Sequence, residues 1–293
     1  MGFLRPEDLS KMGDREIFEY ANETNIENWI DELKEYTIPT KIIPLNAADI
    51  DLMRKAIRCT QLGRPFPVEF DNRVEPKFLK KMKNVFDEFG SCFVRMSQRS
   101  PKDSRIAIEK GKRAFKGALE SASNENERNI LLVKSQKYGL RTENAQEAME
   151  LLLTSQRILD DLEDCARFHF QPSIILRKWI EIPEWAEFRG FVDEGELMGL
   201  SQYFHYCYFP EIKENEQEIL DRVRKCLEKV REKLLINSCI IDFALLENAE
   251  TLILELNPFF VGTDLCLFSW RKDKFKQFEF RYNKNPVNKK RLK

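Results

Sequence analysis

The chain has 293 residues, of which 42% are hydrophobic and 33% are charged. This balance is typical of a soluble globular protein with a substantial core, and the length allows one large domain or two closely joined lobes. The formal net charge of −1 neither supports nor excludes a nucleic-acid ligand. No stretch approaches the ~18 consecutive apolar residues of a membrane-spanning helix, so the sequence predicts no association with a membrane.

The seven cysteines are widely spaced and form no Cys-X-X-Cys pair. An odd number at irregular spacing favours reduced thiols in a cytosolic protein over a disulfide framework or a zinc site. The only histidines, His169 and His205, lie in no recognisable motif. We therefore expect a cytoplasmic protein, and we interpret it as a monomer.

Charge is distributed unevenly between the two ends of the chain. Residues 1–35 contain ten Asp or Glu against four Lys or Arg, whereas residues 271–293 contain ten Lys or Arg against two acids. A basic tail of this kind is compatible with RNA or with an acidic partner. The simpler interpretation, which we favour, is a solvated and frayed terminus, and nucleic-acid binding by the tail stays an open alternative.

The N-terminal third predicts helices around two short strands. We expect helical structure over 14–36, a strand at 41–45 and a helix over 47–57. Pro76 suits the first turn of the next helix, whose apolar residues fall on one stripe as far as Phe89, and Gly90 then ends it. A strand follows at 92–96.

The remaining chain alternates strands with two longer helices. Thr142 is expected to cap a helix over 145–162, and Asn215 with Glu218 resembles a capping box that starts a helix ending near residue 235. The predicted strands lie at 173–179, 187–192, 197–204, 238–246 and 251–257. This order of helices and hairpin strands predicts an α+β fold rather than regular βαβ winding.

The last two predicted strands contain polar side chains in otherwise apolar runs. Asp242 interrupts one strand, and Glu255 and Asn257 lie on one face of the other because side chains alternate along a strand. A turn centred on Asn248 and Ala249 would place Asp242 directly opposite Glu255, with Cβ atoms about 5 Å apart. Two carboxylates that close repel unless one is protonated or a cation lies between them.

Two interpretations of this acidic hairpin follow from spacing alone. In the first, Asp242, Glu255 and Asn257 hold Mg²⁺, which prefers one or two carboxylates completed by water and phosphate oxygens. In the second, Asp242 caps a local turn and Glu255 pairs with a nearby arginine. A turn shifted by one residue would separate the facing carboxylates.

Two other segments contain candidate phosphate-binding cations. The chain from the end of the strand at 92–96 into the following serine-containing loop is basic, with Arg95 in the strand and Lys102 in the loop. No Walker A or Gly-X-Gly-X-X-Gly sequence is present, so a bound nucleotide would depend on cationic side chains and strand edges. Arg177 and Arg189 occur in apolar strands, where a structural pair of Arg189 with Glu181 or Glu187 is the alternative.

Taken together, these segments resemble the cell division cycle protein 123 family over about residues 29 to 270. The segments that carry the resemblance are SPKD (100–103), LLTSQRILDDL (152–162), LRKW (176–179), EFRGFV (187–192), LSQ (200–202), IDF (241–243), LNPF (256–259) and TDLCLFSW (263–270). No single segment is decisive, but the ordered set is specific. Glu255 stands where many members have Asp, and the basic C-terminus differs from the acidic extensions of eukaryotic members.

The resemblance implies an ATP-grasp-like α+β fold in which two lobes with mixed or antiparallel sheets enclose a nucleotide cleft. We place the lobes at about 1–170 and 171–270, followed by the basic tail at 271–293. The resemblance also implies that ATP and Mg²⁺ are the cofactors. The implied ATP contacts are Arg95, Lys102, Arg177, Lys178, Trp179, Arg189, Asp242 and Asn257. The implied Mg²⁺ ligands are Asp242, Glu255 and Asn257.

The function implied by the resemblance is that of an ATP-dependent chaperone that assists assembly of translation initiation factor 2 by binding its gamma subunit. The alternative is an ATP-grasp enzyme, a ligase or a phosphoryl- or nucleotidyl-transfer enzyme, acting on an unidentified substrate. The sequence contains the ATP half of such a site but no recognisable acceptor pocket, so turnover of ATP is left open.

Overall fold

The computed structural model describes residue 8, residues 10–64 and residues 76–286. The chain divides into two compact units and passes from one to the other after residues 38, 121, 130 and 180. The five-stranded unit comprises residues 1–38, 122–130 and 181–293, and the four-stranded unit comprises residues 39–121 and 131–180. Within the described ranges, no helix is both long and apolar enough to cross a membrane.

The helices in chain order are α1 (Asp14–Asn22), α2 (Ile30–Leu33), α3 (Ala47–Gln61), α4 (Lys77–Phe89), α5 (Arg105–Ser121), α6 (Glu125–Leu140), α7 (Ala145–Leu153), α8 (Gln156–Phe168), α9 (Pro210–Glu214) and α10 (Glu216–Val230). The strands are β1 (Thr40–Pro44), β2 (Cys92–Met96), β3 (Arg141–Thr142), β4 (Ser173–Lys178), β5 (Glu187–Asp193), β6 (Glu196–Gln202), β7 (Cys239–Leu245), β8 (Thr251–Asn257) and β9 (Glu279–Arg281). All strands predicted from the sequence form, with ends within two residues of the expected positions.

The four-stranded sheet is antiparallel, with strand order β1-β4-β2-β3. One face packs against α3, α4, α7 and α8, and Val94, Ile174 and Leu176 are fully buried in that core. Because side chains alternate along a strand, Arg95 and Arg177 lie on the opposite face. The helical core therefore fixes which face of this sheet carries the two arginines.

Two helix caps differ from the sequence predictions. Thr142 does not cap a helix, because it lies in β3 and its hydroxyl donates to the Cys92 carbonyl at 2.7 Å. Asn144 is the residue that caps α7, accepting from the Glu147 amide at 2.9 Å. The helix predicted over 145–162 is divided into α7 and α8, because Ser155 starts a new helix by accepting from the Ile158 amide.

Two further helix predictions also need correction. The capping box at Asn215 is wrong, since its side-chain amide donates to the Glu211 carbonyl at 2.8 Å instead of accepting from α10. The helical segment predicted over 14–36 consists of α1, α2 and two single turns of 3-10 helix. In contrast, Gly90 ends α4 as predicted, with a φ of 73° that favours glycine.

The five-stranded sheet has the order β8-β7-β5-β6-β9, and every pair is antiparallel except β6 with β9. Helix α10 packs against β7 and β8 and buries Val223. Phe191 and Ile240 pack with Phe259, Leu265 and Phe268 of the segment after β8. The segment between β8 and β9, which forms no helix or strand, therefore covers part of the sheet face that carries Phe191 and Ile240.

The described part of the C-terminal segment, residues 271–286, is folded against the five-stranded sheet. Residues 279–281 form β9, and the Arg281 guanidinium pairs with Asp273 and lies 4.0 Å from the centroid of the Phe268 ring. The expectation of a frayed terminus is wrong for residues 271–286, because backbone pairing and a paired arginine hold this segment on the sheet. Residues 287–293 of the predicted basic tail lie outside the described residues.

Helices α5 and α6 approach closely at two glycines. A Cβ atom added to Gly111 would lie 2.1 Å from the Ser135 carbonyl oxygen, and one added to Gly139 would lie 2.2 Å from that of Ala107. Gly117, in the same helix α5, has no neighbouring atom within 4 Å of an added Cβ. Glycine at 111 therefore permits the contact between backbones, whereas glycine at 117 does not serve such a contact.

We expect Gly111→Ala to destabilise the protein by about 1–3 kcal/mol, because the backbone of α6 must move to admit the methyl group. Gly117→Ala is the matched control and should stabilise the protein by roughly 0.5–1 kcal/mol, since alanine favours the helix. Urea unfolding monitored by circular dichroism measures both changes. Equal effects of the two substitutions would contradict the close packing of α5 on α6.

Candidate functional site

A row of polar and charged residues crosses the whole five-stranded sheet. Glu255 of β8 lies opposite Asp242 of β7, which lies opposite Arg189 of β5; Arg189 lies opposite Ser201 of β6, which lies opposite Arg281 of β9. Directly opposed residues on paired strands share one face of the sheet. These five residues, which we call the charged row, therefore lie on a single face.

The predicted pairing of Asp242 with Glu255 is confirmed, although the predicted turn is wrong. Leu245 lies opposite Thr251, which shifts the turn by one residue from the expected position. The register then shifts back between Asp242 and Phe243, as it does at a β-bulge. The irregularity restores the facing pair that the shifted turn would otherwise have separated.

Arg189 and Asp242 form a buried, bidentate ion pair. The Arg189 Nε donates to Asp242 Oδ1 at 2.8 Å and an Arg189 Nη donates to Oδ2 at 2.7 Å, with the two side chains only 7% and 5% exposed. The other Nη donates to the Asp264 carbonyl at 2.5 Å. Burial acts to lower the pKa of Arg189, but the charge and hydrogen bonds of Asp242 outweigh it and hold that pKa well above its ordinary value.

This ion pair decides between the structural alternatives that the sequence left open for Arg189 and Asp242. Arg189 does pair with a carboxylate, but its partner is Asp242 rather than Glu181 or Glu187. Asp242 does not cap a local turn, since it lies inside β7 and accepts hydrogen bonds from another strand. Glu181 and Glu187 were expected as partners because they lie near Arg189 in the sequence. Asp242 is distant in the sequence and reaches Arg189 because β7 pairs with β5 in the sheet.

Asn257 and Tyr203 complete the surroundings of the pair. The Asn257 side-chain amide donates to Asp242 Oδ2 at 3.3 Å, and the Arg189 guanidinium carbon lies 5.0 Å from the centroid of the Tyr203 ring. Glu255 is partly buried beside Asp242. The three predicted Mg²⁺ ligands are therefore brought together at one end of the charged row.

The donor set fits a hard divalent cation. Two facing carboxylates and one amide oxygen are the oxygen ligands that Mg²⁺ prefers, and water and phosphate oxygens usually complete its coordination. The described part of the chain contains no cluster of three or more His, Cys, Asp or Glu side chains suited to a metal. In the structure, the cation beside Asp242 is the Arg189 guanidinium.

The four-stranded unit brings together two of the remaining candidates. Arg95 lies opposite Ile175 and Phe93 lies opposite Arg177, so both arginines share the face away from the helices. Arg95 is buried, and its guanidinium donates to the Met96 carbonyl at 3.0 Å and to the Gln98 carbonyl at 2.8 Å. Arg177 is also buried and donates to the Thr40 hydroxyl at 3.2 Å.

The other three candidates of this unit lie near strand ends. Lys102 is exposed in the turn after β2, and Lys178 is exposed at the end of β4. The backbone amide of Trp179 donates to the Ser91 carbonyl at 2.9 Å, and the Arg141 guanidinium lies 6.0 Å from the centroid of its ring. The predicted site residues thus form one set in each unit, and a common nucleotide site between the sets stays a prediction.

The basic loop after β2 is fixed to the start of α8. Asp103 accepts from the Ser155 hydroxyl and from the Arg157 amide, the latter at 3.1 Å. Arg99 donates to Asp161 Oδ1 at 2.8 Å. Burial raises the pKa of Asp161 although Arg99 acts to lower it. Two of the segments that carry the family resemblance, 100–103 and 152–162, therefore contact each other, and Arg99 has a structural partner.

Four residues that complete the charged row and the segment covering it were not predicted from the sequence: Ser201, Tyr203, Asp264 and Arg281. The alternation of aromatic and polar residues at 278–282 was a signal for a strand, but the surrounding lysines favoured a solvated tail. The strand that contains Ser201 was predicted at 197–204 without a functional role. Its serine hydroxyl accepts from the Leu267 amide at 3.2 Å and so anchors the segment that covers the sheet.

We expect Asp242→Ala to reduce the free energy of unfolding by ~3–5 kcal/mol, because it leaves Arg189 buried without its carboxylate. The double variant Arg189→Met/Asp242→Leu removes both charges and should recover most of this loss. Urea unfolding of Asp242→Ala measures the loss, and urea unfolding of Arg189→Met, Asp242→Leu and the double variant measures the coupling. Additive losses would contradict a tightly coupled pair.

The protein is similar in structure to Cdc123 from Schizosaccharomyces pombe, with a TM-score of 0.65 and 19% identity over 91% of this chain and 98% of that one. The predicted α+β class with mixed or antiparallel sheets is confirmed by the two sheets and by this likeness, and the ATP-grasp assignment stays a prediction. At this identity the likeness concerns the fold alone.

Two curated relatives that match this chain share one name. A protein of Dictyostelium discoideum named "Translation initiation factor eIF2 assembly protein" is 32% identical over 98 residues, 33% of this chain and 26% of that protein. A protein of the same name from Vanderwaltozyma polyspora is 23% identical over 205 residues, 67% of this chain and 48% of that protein. The chain thus matches between about a quarter and about half of the length of these relatives.

The family model of D123 matches residues 131–290, which is more than half of the chain. The matched region contains β3 to β9 and therefore the whole charged row. With this match, the chain belongs to the D123 family, the cell division cycle protein 123 family that its sequence resembles.

Proposed function

We propose that this chain is a Mg-ATP-binding assembly factor for translation initiation factor 2, acting on the factor's gamma subunit. The observation that carries the nucleotide part is the charged row, in which Glu255 faces Asp242 beside Arg189. The assembly part follows from family membership and from the names of the curated relatives.

The acidic end of the row would hold the metal. Asp242 and Glu255 supply two carboxylates, and the Asn257 side chain can supply a carbonyl oxygen from the same strand as Glu255. Facing carboxylates attract a divalent cation because it removes their mutual repulsion. When bound, Mg²⁺ would offset the charge of the triphosphate and orient it on the sheet.

Cationic side chains would hold the rest of the nucleotide. Arg189 adjoins the metal ligands, and a guanidinium binds phosphate as well as carboxylate oxygens through paired N–H groups. Arg95 and Lys102 are the proposed phosphate contacts of the four-stranded unit. Arg177, Lys178 and Trp179 are the proposed contacts beside the adenine, where the Trp179 ring offers a flat apolar face.

The partner is proposed from the relatives rather than from a visible surface. Their shared name describes assembly of translation initiation factor 2. The family model matches residues 131–290, which include all five strands of the five-stranded unit. Binding of Mg-ATP would stabilise the form of the chain that engages the gamma subunit, because a ligand shifts any equilibrium toward the state it binds more tightly.

The metal part is tested with Asp242→Asn, which keeps the shape and one acceptor for Arg189 but removes the charge. We expect Mg-ATP affinity, measured by calorimetry, to fall at least about tenfold, since contacts to charged groups contribute ~1.5–3 kcal/mol. Glu247→Gln is the matched control, because Glu247 is exposed in the turn of the same hairpin. Unchanged affinity in Asp242→Asn would refute the metal assignment.

The partner is tested with purified gamma subunit and the tagged full chain. We expect co-purification that increases with Mg-ATP and is reduced in Asp242→Asn, with Glu247→Gln behaving as the unchanged chain. Failure of the unchanged chain to retain the gamma subunit, with or without Mg-ATP, would overturn the proposed partner and leave the nucleotide site to be judged by calorimetry.

A further inference from the structure

The carboxylate at the centre of the proposed metal site already has its oxygen atoms engaged. Asp242 Oδ1 accepts from Arg189 Nε, and Oδ2 accepts from an Arg189 Nη and from Asn257 Nδ2. Asn257 thus presents its nitrogen to Asp242, although a metal ion requires its oxygen. These donors take at least three of the about four lone-pair positions of the carboxylate. A cation that takes up both oxygen atoms of Asp242 must therefore displace the guanidinium, and the Asn257 amide must rotate to present its oxygen.

The guanidinium has contacts that do not depend on Asp242. One Nη donates to the Asp264 carbonyl, and the plane lies by the ring of Tyr203. These two contacts can retain Arg189 at the site while its Nε and second Nη exchange one acceptor for another. Phosphate oxygens are suitable replacements because a guanidinium binds carboxylate and phosphate in the same paired geometry.

A bare divalent ion offers no such replacement. It would have to displace a buried guanidinium, leave the freed N–H groups without an anionic acceptor and place two cations side by side. A metal–triphosphate complex offers the cation to the carboxylates and the acceptor to the guanidinium in one event. The exchange conserves the hydrogen bonds of Arg189 only when metal and phosphate arrive together.

We propose that Arg189 is a specificity-determining residue: it occupies Asp242 in the free protein and makes the site select the metal–triphosphate complex over the bare divalent ion. The inference rests on the proposed function for the identity of the ligand. It adds to that function a reason why free Mg²⁺ does not fill the acidic hairpin, and it assigns Tyr203 and Asp264 the role of positioning the guanidinium.

The test measures bare-ion and nucleotide binding separately in the full chain. Electron paramagnetic resonance of free Mn²⁺ reports binding of the ion without nucleotide, and calorimetry reports binding of Mg-ATP. We expect Arg189→Gln to bind bare Mn²⁺ at least about tenfold more tightly and Mg-ATP at least about tenfold more weakly than the unchanged chain. A merely structural arginine would not move the two affinities in opposite directions.

Two further variants complete the comparison. Arg189→Lys keeps the positive charge and should still exclude bare Mn²⁺. Arg231→Gln is the control, because Arg231 pairs with Glu196 at an exposed end of the same unit and should change neither affinity. Bare Mn²⁺ binding in Arg189→Gln that is no tighter than in the unchanged chain would overturn the inference.

A measurement on the unchanged chain does not depend on how the variants fold. The Arg189 Nε–H resonance in ¹⁵N-labelled protein should stay in place on addition of Mg²⁺ alone and move on addition of Mg-ATP. Movement with Mg²⁺ alone would overturn the inference. Failure of the unchanged chain to bind Mg-ATP would instead overturn the proposed function, whereas the Mn²⁺ experiment contains no nucleotide and still decides whether Arg189 excludes the ion.

Discussion

The buried ion pair between Arg189 and Asp242 is the interaction on which the five-stranded unit depends. Burying two charges is costly, and the cost is offset only by close geometry and by hydrogen bonds to the remaining donors. The bidentate contact supplies the first condition, and the Asp264 carbonyl supplies part of the second. The segment after β8 is thereby attached to the centre of the sheet as well as to its aromatic cluster.

The bulge between β7 and β8 compensates for the shifted turn of this hairpin and keeps Glu255 opposite Asp242. A register slip of one residue would move Glu255 and Asn257 to the other face of the sheet, because side chains alternate along a strand. The turn is indeed shifted, yet the bulge restores the register before Glu255. Acidic and amide side chains consequently remain beside Asp242, where the ion pair and the proposed metal site both require them.

The segments that resemble the family contact one another within each unit although they are scattered along the chain. The loop containing Asp103 is fixed to Ser155 at the start of α8, and the segment containing Asp264 and Leu267 is fixed to Arg189 and Ser201. These hydrogen bonds hold the segments to one another. Only a subset of the polar residues, chiefly those at the acidic end of the charged row, has the arrangement expected of a ligand site.

The sequence by itself determined the α+β class and the strands at 92–96 and 251–257, because side-chain alternation and turn residues act over short distances. The facing of Asp242 with Glu255 was predicted from a turn that is shifted by one residue, and the structure preserves it through the bulge. Tertiary structure decided that Asp242 pairs with Arg189, 53 residues away, and that Arg281 of the basic tail joins the same row. Strand order brings those residues together, and no local pattern encodes that order. Asn144 rather than Thr142 caps α7 for the same reason, since the Thr142 hydroxyl donates to the carbonyl of Cys92 in β2.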